Sequence, residues 1–272
     1  MNETANTGQT VGDTAPAAPV ILPLTKSDIL EILAAGLRDF RSAPLYALGV
    51  SGVYTVGGWI LILLLVQFDL PYLVYPLAAG FALIAPFIAA AFYAISRCLE
   101  RGESLSWGRI FGSVRDATSS DLGWMALVAG FSLFIWMDIA ALLFFGFLGM
   151  SALSAPELLK VIFTTPMGLL FLLIGNSVGA VIAFSVFSFS VTSYPMLFDR
   201  EVDFVTAMIT SVKVVLQNKV PMILWCITIA LLIAVSLLSG LVGLFVILPV
   251  LGHASWHLYR RAIAPATGTE TA

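Results

Sequence analysis

Charge is scarce in this sequence. Of 272 residues only 13 are Lys or Arg and 16 are Asp or Glu, 11% together, whereas soluble domains carry about 25%. A chain this poor in charge cannot cover a water-facing surface. Cysteine and histidine are scarcer still, with two of each. Cys98 and Cys226 lie in separate apolar segments with no CxxC and no Cys/His cluster, which excludes a disulfide framework and a zinc site. A net charge of −3 offers no basic field for nucleic acid. There is no GxSxG, P-loop or GxGxxG between strand and helix, and no pair of acids spaced for general acid and base work. The chain reads as non-enzymatic and without a cofactor.

What is abundant is apolar surface: 60% of residues are hydrophobic and the mean hydropathy is +1.00. Six segments stand out, Leu45 to Val66, Tyr72 to Leu99, Leu122 to Phe147, Met167 to Tyr194, Val220 to Leu238 and Leu241 to Tyr259. A helix of about 20 apolar residues crosses a hydrocarbon core of about 30 Å. The stretch from Val220 to Tyr259 is about 60 Å long as one helix, so Ser239, Gly240 and Gly243 are expected to divide it into two spans. A kinked span with a re-entrant piece near Pro249 is the other solution. Residues 1–23 read as a disordered polar tail, 24–261 as one six-span all-α membrane domain in contact with the lipid bilayer, and 262–272 as a second tail.

Lys and Arg concentrate in cytoplasmic loops. With both termini inside, Lys26, Arg38, Arg41, Arg97, Arg101, Arg109, Arg115, Arg200, Lys213, Lys219, Arg260 and Arg261 fall on the cytoplasmic side, and only Lys160 falls outside. Each inner helix end also carries an aromatic expected at the interface: Tyr46, Tyr93, Trp124, Tyr194, Trp225, and Trp256 with Tyr259. This is the topology of a six-span membrane protein with both termini cytoplasmic.

Three cytoplasmic segments have helical amphipathic patterns suited to a membrane surface. From Thr25 to Ala43, the apolar face is Ile29, Leu30, Leu33, Leu37 and Phe40, with Asp28, Glu31 and Arg38 opposite, and Thr25 with Asp28 forms a capping-box start. From Ser104 to Ser120, the face is Trp107, Ile110, Phe111 and Val114. From Phe204 to Asn218 it is Phe204, Met208, Val212 and Val215. Gly36-Leu37-Arg38-Asp39 aligns with Ser113-Val114-Arg115-Asp116 and with Ser211-Val212-Lys213, each a few residues before a span. The chain thus reads as three copies of one unit, a surface helix followed by a hairpin of two spans, an arrangement shared by transporters and scaffolds.

Asp138 is the one ionisable residue deep in a span, and such a group is costly there. Asn176, on the next and oppositely directed helix, is expected at similar depth and within hydrogen-bond reach of it. Two readings stay open. In one, Asp138 is a proton or cation site of a permease, its path extended by Ser177, Ser185, Ser188 and Thr192. In the other, the pair is interhelical glue and the serines permit close packing. His253 and His257 share a helix face and are weak candidates for a metal or an axial haem position, since no other histidine or carboxylate-rich motif accompanies them. Gly49, Gly52, Gly57 and Gly58 with Ala78, Ala82, Ala85 and Ala89 are packing faces.

Several stretches resemble a family of bacterial integral membrane proteins grouped as a domain of unknown function, some members of which are labelled cytochrome c oxidase subunits. They are Gly36-Leu37-Arg38-Asp39-Phe40 with Pro44 and Tyr46; Pro86-Phe87 with Tyr93-Ala94-Ile95-Ser96-Arg97 and Glu100; Ser193-Tyr194-Pro195-Met196-Leu197 with Asp199-Arg200; and Leu248-Pro249-Val250-Leu251-Gly252-His253-Ala254-Ser255-Trp256-His257 with Tyr259-Arg260. The resemblance implies a six-span fold and an accessory or assembly role beside the subunits of a respiratory complex. Oxygen reduction itself needs several intramembrane histidines, more than the two present.

Overall fold

The computed structural model describes residues 19–68, 74–118, 121–149 and 155–265. These form eleven helices: α1 Lys26–Ser42, α2 Pro44–Gln67, α3 Val74–Glu100, α4 Trp107–Thr118, α5 Leu122–Leu148, α6 Ala155–Thr164, α7 Pro166–Ser190, α8 Ser193–Asp199, α9 Phe204–Gln217, α10 Lys219–Leu238 and α11 Leu244–Ala262. Among the described residues, four helical stretches are long and apolar enough to cross a membrane: Pro44–Leu64, Leu122–Leu148, Pro166–Asp199 and Lys219–Leu238. α11 falls short of that measure because its second half carries His253, His257, Arg260 and Arg261.

Local signals place the breaks. Thr25 and Asp28 form the expected capping box at α1, the Thr25 hydroxyl accepting from the Asp28 amide while the Asp28 carboxylate accepts from the Thr25 amide at 2.6 Å. Pro44 begins α2, where its missing amide proton costs nothing. Gly240 and Leu241 both take positive φ, 65° and 69°, and turn the chain between α10 and α11. α11 then runs unbroken through Pro249, so the stretch from 220 to 259 is two helices and not one kinked helix. The fourth apolar segment stops at Ser190 and resumes as the short α8. A further amphipathic helix, α6, precedes α7, with the Thr165 hydroxyl capping the Gly168 amide at 3.0 Å.

Neighbouring long helices form an arc in the order α10, α11, α2, α3, α5, α7. α1 lies along α11, α4 against α3, and α9 against α7. Among the described residues α7 makes no extended contact with α10 or α11, so the arc is open on that side; α8 and α9 bridge it only at the end bearing most of the Lys and Arg, called here the basic end. The buried core is concentrated at that end, with Phe92, Ile95, Met196, Trp225, Trp256 and Tyr259 all inaccessible or nearly so. The outer segments at residues 20–22 and 262–264, on the inner edges of the two expected tails, pair through Leu22 N–H to Ala262 O and Ala264 N–H to Val20 O; residues 1–18 and 266–272 of those tails lie outside the described residues.

Two expectations are corrected. The face of α1 that packs inward is Asp28, Ile29, Ile32 and Gly36, while Leu30 is 71% exposed. Arg261 of α11 draws the acid in by an ion pair, and Gly36 allows the backbones to meet. Trp225 and Trp256 do not form an interfacial belt, since both are buried in protein. The Trp256 indole N–H donates to Glu100 at 3.0 Å.

Candidate functional site

At the basic end, α1, α3 and α11 bring four polar side chains together. The Ser96 hydroxyl donates to Asp39 Oδ2 at 2.7 Å, and the same oxygen accepts from His257 Nε2 at 2.8 Å. Ser96 Oγ also lies 2.8 Å from His253 Nδ1. A hydroxyl has one proton, and Ser96 gives it to the carboxylate, so His253 must donate from Nδ1–H. Its Nε2 therefore keeps a lone pair, buried and without a hydrogen-bond partner among the described residues. The two histidines share a face as their spacing requires, yet each is tied to a different group. Among the described residues no three His, Cys, Asp or Glu side chains stand close enough to hold a metal ion.

Around this core, Phe198 and further residues of the four motifs close the end of the bundle. Arg260 donates to Glu100 at 2.8 and 3.1 Å. The Tyr259 hydroxyl donates to Asp199 at 2.7 Å and accepts from Arg200 Nε at 2.7 Å. Arg97 stacks over Phe198 with 4.4 Å to the ring centroid, and Phe198 meets Trp256 edge-on at 6.1 Å. Stretches far apart in sequence thus converge on one polar and aromatic plate. Asn218 fastens the N-terminal segment beside it, accepting from Leu24 N–H at 2.7 Å and donating to Leu22 O at 3.2 Å.

Two acids of α1, Asp39 and Asp28, are stabilised as anions. Burial pushes the Asp39 carboxyl up, but hydrogen bonds from His257 and Ser96 outweigh it and hold the group below the ordinary 3.8. For Asp28 the Thr25 amide dominates, burial opposes it, and the Thr25 hydroxyl and Arg261 add to the lowering. A folded-state pKa below the unfolded value contributes stability that is present above the unfolded value and is lost as pH falls through the folded one. The melting temperature in detergent is therefore expected to change little from these groups between pH 7 and 5 and to drop below about pH 4; Asp39→Asn together with Asp28→Asn should flatten that drop. A drop of unchanged size in the double variant would refute the assignment.

Beside the plate lies a cavity of about 650 Å³ within the arc, lined from α2, α3, α5, α7, α8, α10 and α11. Its wall is apolar, and no charged side chain lines it. Phe92 separates it from His253, the two rings meeting edge-on at 5.4 Å. The cavity is open on the side where α7 leaves α10 and α11 unpacked. Walls this apolar do not hold water well, so hydrocarbon is the filling that suits them.

The candidate site residues singled out from sequence, Asp138, Asn176, Ser177, Ser185, Ser188, Thr192, His253 and His257, do not line this cavity. Asp138 is on the outward stripe of α5, between Ile135 and Leu142, and has no hydrogen-bond or ion-pair partner among the described residues. Asn176 is exposed on α7 and donates to the Leu172 carbonyl of its own helix at 2.7 Å, so the expected bond between them is not made. The reason is rotational phase. Trp136 packs so tightly on Gly179 that a Cβ there would lie 2.9 Å from the ring, and two residues at about 100° each turn Asp138 away from that seam. Ser177, Ser185 and Ser188 likewise donate to the carbonyls of Leu173, Val181 and Phe184. Thr192 alone is buried, its hydroxyl unpartnered among the described residues while its amide donates to Ser211 Oγ at 3.2 Å.

Sequence reasoning missed Asp39 and Ser96 as partners of the histidines. The available signal was their membership of the same four motifs, which hydropathy alone does not connect.

No curated protein and no solved structure matches this chain. Residues 74–199 match the profile of a family described as "Predicted integral membrane protein (DUF2189)". Over that stretch, from α3 to α8, the chain is thus similar to an integral membrane domain of unknown function.

Proposed function

We propose that this chain is a non-enzymatic accessory or assembly subunit of a larger membrane complex, with a terminal oxidase of a bacterial cytoplasmic membrane as the first candidate. In this reading α2, α3, α5, α7, α10 and α11 are six spans in three hairpins and both termini are cytoplasmic. One observation carries it: Asp138 stands exposed on the outward stripe of α5 among exposed Phe131, Phe134 and Leu142, which in this reading faces lipid. A carboxylate in that position is costly in lipid and is relieved by a partner helix offering a hydrogen-bond donor or a cation. A permease path through Asp138 is less well supported, because such a path needs its polar residues turned toward the cavity.

The test is recovery of the tagged chain in mild detergent. Stoichiometric oxidase subunits support the reading, and Asp138→Leu is expected to lower their recovery at least fivefold while the yield of folded chain holds or rises. A solitary protein that moves solute or protons in liposomes, and loses that transport on Asp138→Asn, would replace it with the permease.

A further inference from the structure

We propose that the elbow between α1 and α2, flanked by α4, binds the phosphate of an anionic phospholipid in the leaflet at the basic end. Arg38 and Arg41 hold the phosphate, the exposed side of α2 takes an acyl chain, and Trp107 with Phe111 stands at the level between them. The site is independent of Asp138 and of any protein partner.

The first observation is charge without a counter-ion. Arg38 and Arg41 are exposed near the end of α1, on the side turned away from the buried Gly36. Residues three apart are neighbours on a helix surface, so the two guanidinium groups can reach one phosphate. Neither makes an ion pair or hydrogen bond among the described residues. The acids nearest them in sequence are engaged elsewhere, Asp39 by Ser96 and His257, and Glu31 by Arg261 at 3.3 Å. By contrast, Arg101 and Arg109 share Glu103, Arg115 meets Asp116, and Arg260 meets Glu100. A pair of free guanidinium forks matches the oxygens of a phosphate.

The second is position. Only Ala43 separates α1 from Pro44, the first residue of a stretch long and apolar enough to cross a membrane. Leu45, four residues after Arg41, is 72% exposed, and exposed Leu48, Val56 and Leu63 continue along α2. An apolar stripe therefore begins beside the two arginines, in the order in which a phospholipid joins its acyl chains to its phosphate.

The third fixes the depth. The Tyr46 hydroxyl donates to Leu105 O at 3.1 Å, its ring centroid lies 4.9 Å from that of Trp107, and a Cβ on Gly49 would lie 2.6 Å from the Trp107 ring. The start of α4 is thus clamped to the first turns of α2. Phe111 stacks on Trp107 at 5.7 Å, and both rings are exposed. Aromatic rings at the end of a span favour the layer between acyl chains and headgroups, which sets the arginines at the height of the phosphates.

The experiment titrates the full chain in mild detergent with phosphatidylglycerol and, separately, with phosphatidylcholine of the same acyl chains, and counts bound lipid by native mass spectrometry. One basic residue near an anionic surface strengthens binding about fivefold, so phosphatidylglycerol is expected to bind roughly tenfold or more tightly than phosphatidylcholine. Arg38→Gln with Arg41→Gln should remove that preference, and Arg38→Lys with Arg41→Lys should keep most of it. Lys213→Gln with Lys219→Gln changes the net charge equally on α9 and α10 and should leave the preference intact. Glycerol 3-phosphate, which has the phosphate without acyl chains, should not displace the lipid at equal concentration. If the double glutamine variant does not fold, Arg41→Gln alone, expected to lose about fivefold, keeps the test available. Equal binding of the two lipids, a preference that survives loss of both arginines or vanishes with the two lysines, or displacement by glycerol 3-phosphate would overturn the proposal.

Discussion

Replacing Gly36 by valine is expected to separate α1 from the bundle. A Cβ on Gly36 would stand 2.6 Å from the Val250 carbonyl oxygen, 2.7 Å from the Ala254 amide nitrogen and 2.8 Å from the Ala254 Cβ. Two of these atoms are backbone within a continuous helix, so they cannot swing aside as a side chain can. Even Gly36→Ala should cost about 1–3 kcal/mol, the usual range for overpacking, and the two further methyl groups of valine exceed what the contact can absorb. The loss spreads, because the same approach of α1 to α11 aligns Asp28 with Arg261 and Asp39 with His257. Gly112 on α4 is the control: a Cβ there meets nothing within 4 Å, so Gly112→Ala should be neutral or stabilise by up to about 1 kcal/mol through helix propensity. Thermal unfolding of the three variants in one detergent decides it. A Gly36→Ala melt equal to that of the parent would mean that the two helices do not meet as described.

The same contact shows what could be read before the structure and what could not. Helix positions were legible, because a run of apolar residues and a capping residue act locally: the capping box of Thr25 and Asp28 starts α1, and Gly240 turns the chain after α10, both from signals within a few residues. Rotational phase was not legible, because it is set by partners far along the chain. Asp28 belongs to the polar face of α1 by pattern, yet it turns inward to meet Arg261, more than 200 residues away. Asp138 and Asn176 have matching depth by arithmetic, yet the seat of Trp136 on Gly179 rotates the acid outward. In an apolar solvent, hydrophobicity no longer marks the inside of a bundle, so a pattern of apolar residues locates a span without saying which side faces protein. The candidate site suffered most from this. Asp39, Ser96, His253 and His257 lie on three helices, and only packing reveals that one carboxylate oxygen serves two donors.

Removal of that carboxylate is expected to have the second large effect. Asp39→Ala leaves His257 Nε2 and the Ser96 hydroxyl without their shared acceptor, in a place where the Asp39 side chain is only 16% exposed. Breaking one side of a buried polar pair typically costs about 3–5 kcal/mol, because the abandoned partners stay desolvated. Ser96 would be free to turn its proton toward His253, which forces the opposite tautomer and moves the lone pair from Nε2 to Nδ1. The distinguishing measurement is therefore a double-mutant cycle with an NMR readout of the imidazole nitrogens. Asp39→Ala and His257→Phe should be strongly non-additive, the pair costing at least 1 kcal/mol less than the sum of the singles. Nitrogen shifts of His253 should exchange between Nδ1–H and Nε2–H forms when Asp39 is lost. Additive costs would leave Asp39 a residue of α1 that happens to lie near two histidines. Coupled costs with a tautomer change would make it the anchor of a relay of hydrogen bonds running from His257 through Asp39 and Ser96 to a free nitrogen behind the wall of the cavity.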